Sequence, residues 1–189
     1  MALLLAGSRG LAAQDARLAA RLPATTATAV QALVDSAERA ELPGEPLVQK
    51  ALEGESKGAD EVHIVAAVRS LLGRLAAGRE VLGQKSSAEE LIAAAAALRA
   101  GAAPAALGSL RALRRDRPLV VPLSVLADLL TVGVPADQAW NSVREMATEG
   151  APDKAFLALR DRYGAGAGAA RPLPPGEEHP PSTPIPARP

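Results

Sequence analysis

Two histidines, His63 and His179, and no cysteine are all that the 189 residues offer for imidazole or thiolate chemistry. His63 follows Asp60 and Glu61, a neighbourhood that would suit a general base or a metal ligand. A catalytic triad needs a nucleophile and an orienting group beside its base, and a zinc site wants three or four ligands. His63 has no such company and reads as a polar residue in the first turns of a helix, while His179 lies among prolines. Carboxylates pair at Glu38/Glu41, Glu89–Glu90 and Glu177–Glu178. The first pair falls at a helix end. The second falls at a helix start, where the dipole and capping account for it. The third lies in the proline-rich segment. The G-x-S-x-G string at Gly54–Gly58 falls at the end of a helix, whereas a nucleophile elbow joins a strand to a helix. The Gly-Ala run at 164–168 leads into prolines, whereas a phosphate loop leads into a helix. The expectation is a chain with no catalytic residue, cofactor or metal: not an enzyme.

Two features remain that could engage a partner. Arg111, Arg114, Arg115 and Arg117 form the basic cluster. Such a cluster suits a phosphate or nucleic-acid patch, but arginines at a helix C-terminus also complement its dipole, and no aromatic residues interleave to stack bases. Trp140, the single tryptophan, would anchor a ligand or partner, although it lies on an apolar helical stripe and core packing is its default. Candidate partner-binding residues are therefore Trp140, Arg111, Arg114 and Arg115.

The elements that must position these residues are helices. Hydrophobic residues make up 48% and aromatic residues 2% of the chain, so alanine and leucine carry the core, and both favour helix. Twenty-one basic and 21 acidic residues cancel. That balance disfavours a nucleic-acid footprint and a polybasic membrane anchor. No run approaches the ~20 apolar residues of a spanning helix.

Punctuation sets the helix limits. "GVPADQA" at 133–139 and "GAPDKAF" at 150–156 repeat one phrase 17 residues apart. Glycine ends a helix in a left-handed cap, and proline opens the next, with Pro135 and Pro152 as first helical residues. Between them Ala136, Ala139, Trp140, Val143, Met146 and Ala147 mark one helical face. The same grammar puts helix starts at about 23, 45, 60, 87, 104, 122, 135 and 152, with a short piece at Gln14–Arg21. Asp60 is the expected N-cap of a helix that Gly73 and Gly78 would bend or break. Ser87 and Glu90 have capping-box spacing. Leu119–Val132 is apolar nearly all round and should be the most buried element.

The fold expected is all-α: seven or eight short helices as a bundle or short solenoid of helical hairpins. Three segments follow. Residues 1–14, "MALLLAGSRGLAAQ", resemble the end of a secretory signal, truncated since no basic residue precedes the apolar run; the alternative is a frayed N-terminus. Residues 15–163 form the helical domain. Residues 164–189 hold eight of the sixteen prolines and read as a disordered, partly polyproline tail that the helices do not need for folding. Within it, Pro181–Pro184 has the P-x-x-P form of docking peptides.

The Gly-X-Pro phrases, "GVPADQAWNSVREMATEG" above all, resemble those of uncharacterised bacterial proteins built from short helical repeats, and the signal-like start and proline-rich end are similar to the exported ones. The resemblance covers about Leu42–Tyr163 and implies no activity. Three functional classes stand in order: a non-enzymatic helical scaffold or protein-interaction module, with a periplasmic or secreted location slightly ahead of a cytoplasmic one; a ligand-binding bundle or helical enzyme; and a nucleic-acid-associated regulator using Arg111–Arg117.

Overall fold

A computed structural model describes residues 16–169, with the backbone alone for 164–169. Among the described residues every regular element is a helix. Residues 16–21 form α1. Then follow α2 (Ala24–Arg39), α3 (Glu45–Ser56), α4 (Glu61–Leu82), α5 (Ala88–Arg99), α6 (Pro104–Leu113), α7 (Val120–Thr131), α8 (Ala136–Thr148) and α9 (Asp153–Ala169). The starts fall within two residues of those read from the punctuation. The expected segment 1–14 and the prolines from Pro172 onward lie outside the described residues.

The capping chemistry is as the sequence implies. The Asp60 carboxylate accepts the His63 N–H at 2.9 Å, and Ser87 and Glu90 complete a reciprocal capping box. Gly133 and Gly150 sit at φ +89 and +66. Behind Gly133 the Val134 N–H reaches the Leu129 carbonyl at 3.0 Å, and behind Gly150 the Ala151 N–H reaches that of Met146 at 2.9 Å. These bonds satisfy carbonyls that a helix end leaves unpaired. Glu41 takes the same left-handed position after α2, at φ 55, without being a glycine. There Leu42 N–H donates to Ala37 O at 2.9 Å.

Several expectations need correction. Pro135 precedes α8 with an extended ψ of 138 and is not its first helical residue, and Pro152 likewise stands one place before α9. Pro122 is the third residue of α7, whose start is Val120; the first-turn N–H groups have no helical acceptor, so proline costs nothing there. α4 runs unbroken through Gly73 and Gly78. Gly78 instead permits close packing, since a Cβ there would lie 3.2 Å from that of Ala94 in α5. α9 continues beyond Tyr163, so the backbone of the Gly-Ala run 164–168 is helical. The run extends a helix already begun at Asp153, and no proline intervenes to stop it before Pro172.

Each substantial helix packing joins helices one or two places apart, α5 with α7 and α4 with α5 foremost. That is the contact pattern of stacked hairpins. The packing forms two cores. Leu18, Val30, Val34, Leu47, Val48, Ile64, Val68 and Leu75 fill the N-terminal one. Leu107, Leu110, Leu123, Leu126, Leu129, Val143, Phe156 and Leu159 fill the C-terminal one. α5 serves both: Leu91 and Ala95 face the first, and Ala93, Ala94 and Ala97 face the second. α7 is deeply buried, as its composition implies, yet α5 is its equal. Small side chains let α5 lie close to its neighbours on both sides.

Candidate functional site: a basic groove between two turns

A groove of about 620 Å³ opens where the α4–α5 turn meets the α6–α7 segment. Lys85, Arg111, Arg115 and Arg117 line it with Asp116 and Glu90, over apolar floor from Leu82, Pro118 and Val120.

Glu90 organises the groove from beneath. Its side chain is buried. One carboxylate oxygen accepts the Leu119 N–H at 2.9 Å; the other accepts the Ser87 N–H at 3.2 Å and Arg111 Nη2 at 2.7 Å. Burial alone would push the Glu90 carboxyl up, but these donors, Arg111 first, hold it below its ordinary range. One acid thus ties α5, α6 and the start of α7 together.

Arginines fasten both turns. Arg79 Nη1 donates to the Gln84 carbonyl at 2.6 Å and to that of Ser86 at 3.1 Å, while Nη2 donates to Glu41 O at 2.8 Å. Arg114 is 3% exposed. It donates to Ala151 O and to Asp153, each at 2.9 Å, and its guanidinium lies 5.1 Å from the centroid of the Phe156 ring. Arg117 donates to Gly150 O at 2.6 Å. Burial draws the Arg114 pKa down, as does the Arg117 charge, against the opposing pull of Asp153. The second Gly-X-Pro turn, between α8 and α9, is therefore held by two arginines of the α6–α7 segment.

The basic cluster accordingly divides. Arg114 faces the interior and is withdrawn from any partner surface. Arg111 and Arg117 reach the groove wall but spend hydrogen bonds on Glu90 and Gly150. Arg115 is exposed, lines the groove and has no ion pair or hydrogen bond among the described residues. Lys85, which the sequence reading overlooked, is in the same condition. Its signal was its place between Gly83, which ends α4, and the capping box of α5, where a side chain must project from a short turn.

Trp140 lies elsewhere, half-buried in α8 beside a crevice between the α5–α6 turn, α7 and α8. His63 stays at the surface with its side chain 78% exposed. Its Nδ1 is 2.7 Å from Asp60 Oδ2, and Asp60 is drawn below its ordinary range by the His63 backbone N–H first and the ring second. Among the described residues no three His, Asp or Glu side chains are grouped to hold a metal. No described helix is long and apolar enough to cross a membrane.

No protein-family model, curated protein or solved structure matches the chain.

Proposed function

We propose that this chain is a non-enzymatic protein-interaction module whose groove takes an acidic segment of a partner protein. The observation that carries the reading is the pair of uncommitted cations, Lys85 and Arg115, on one groove whose other basic residues are already held in place. Fixed neighbours lower the entropic cost of ordering a ligand. The two free charges would supply attraction and register, which is what electrostatic complementarity contributes to recognition. Leu82, Pro118 and Val120 give the floor an apolar strip, so the fitting segment alternates carboxylates with aliphatic side chains. A nucleic acid is the weaker match, because no aromatic side chain lines the groove to stack bases.

Fluorescence anisotropy with a labelled peptide of alternating glutamate and leucine tests the proposal, beside a single-stranded oligonucleotide of equal charge. The expected result is peptide binding that weakens with added salt and is lost in the Lys85→Glu/Arg115→Glu double variant. Peptide binding unaffected by the double variant would contradict it. Binding of the oligonucleotide alone would replace it with the nucleic-acid reading.

A further inference from the structure

α4 is apolar on two sides. Ile64, Val68 and Leu75 are buried in the N-terminal core. Val62, Val65, Ala66 and Arg69 form a second stripe, at i, i+3, i+4 and i+7, and it stays open. Val62 is 77% exposed, more than any other sizeable apolar side chain among the described residues. A groove of about 340 Å³ runs between this stripe and Thr25 and Ala29 of α2. Helices with apolar residues at this spacing hide them against another element. The ends of the stripe carry opposite charge. Glu61 opens it, and the Thr25 and Thr26 hydroxyls both donate to its Oε2, at 2.9 and 2.7 Å. Arg69 closes it and has no ion pair or hydrogen bond among the described residues. Three and four places from Arg69 stand Val65, Ala66, Leu72 and Gly73, so α4 itself offers it no carboxylate.

We propose that a second copy of the chain docks on this face, α4 against α4, antiparallel about a two-fold axis at Val65. A closed two-fold contact needs a surface that complements itself. Glu61 and Arg69 lie equally far in sequence on either side of Val65, so an axis there sets Glu61 of each copy against Arg69 of the other. The two Val65 side chains then meet in the middle, about 6 Å along the helix from each ion pair. An axis at Arg69 would bring two arginines together, so charge selects the register. Ala29 and Ala66 are small, which lets the helix axes approach closely. The two threonines hold the Glu61 carboxylate in place before contact, which lowers the cost of ordering it. The proposal is independent of the basic groove, which meets α4 at its other end, at Leu82.

Sedimentation equilibrium of the full-length chain tests it. The apparent mass should rise with concentration from 19.3 kDa toward twice that value. Glu61→Arg and Arg69→Glu should each stay monomeric, because each variant sets like charges together at both ends of the contact. An equimolar mixture of the two should dimerise, since every end then pairs an arginine with a glutamate. Misfolded variants could not give that rescue. Val62→Asp should also stay monomeric, and an acid in the first turn of α4 suits the helix dipole, so folding should hold. A wild type that remains monomeric at its highest soluble concentration would overturn the proposal. So would dimers that survive in all three variants, or a mixture of the two charge variants that fails to dimerise.

Discussion

The two halves of the molecule are held by different means. The N-terminal core is an aliphatic seam of valines, leucines and Ile64, and its long-range ion pairs, Arg17–Glu45 and Arg21–Glu55, lie at the surface. The C-terminal core adds Phe156 and is fastened from within: Arg114 and the carboxylate of Glu90 are both buried, and each holds backbone groups of distant turns. Exposed ion pairs contribute little, because water and salt screen them and long side chains must be ordered. A buried charge with several hydrogen bonds is different, since removing one partner strands the others. The two arrangements look alike as contacts and should behave unlike as energies.

The largest expected effect is at Arg114. Replacing it by Ala leaves Ala151 O with only the long 3.5 Å bond from Arg117, strips Asp153 of its partner and uncovers the Phe156 ring, at a cost of about 3 kcal/mol. Thermal unfolding should show a clear loss, whereas Arg17→Ala and Arg21→Ala should leave the melting temperature unchanged. Equal shifts for all three would erase the contrast.

Acid should sharpen it. Glu90 is held below its ordinary range when folded, so its contribution is complete above the pKa of the unfolded chain and fades as pH falls through the folded value. The wild type should lose about 1–2 kcal/mol more than Glu90→Gln does on acidification below the usual carboxylate range, given the charge-assisted bonds involved. Denaturant midpoints at pH 7 and pH 3 measure this; parallel losses in the two proteins would remove Glu90 from the account.

Next come the caps. Gly133→Ala and Gly150→Ala each place a Cβ on a left-handed residue and should cost about 1 kcal/mol. Undiminished melting temperatures in both variants would refute this. The smallest effect has the opposite sign. Glu41 holds the same conformation without glycine, and Glu41→Gly should raise stability by about 0.5 kcal/mol, the relief of strain being partly offset by a more flexible unfolded chain. A lowered midpoint would show that the Glu41 side chain matters more than its backbone.

The helices were legible because their signals are local. Gly133, Gly150, Asp60 and the Ser87–Glu90 box each set a terminus through neighbours within a few residues. What escaped depends on residues far apart. Arg111, Arg114, Arg115 and Arg117 look equivalent in sequence, and only packing against Glu90, Phe156 and the α8–α9 turn separates those that are spent from the one that is free. Glu90 carried its capping role in the sequence but gave no sign of the Leu119 N–H 29 residues away. Lys85 had no partner in any pattern, and a groove is made by two turns that the sequence does not align. Gly78 suggested a bend for want of a view of Ala94, whose approach explains it.

The division into two cores is tested most directly by amide hydrogen exchange, read peptide by peptide, in the wild type and in Arg114→Ala. Hairpins that pack only on near neighbours should open regionally. The variant should therefore exchange faster across α8 and α9 while α2 and α3 keep their wild-type protection. Equal acceleration in all four helices would mean that the two cores open as one, and would contradict the account.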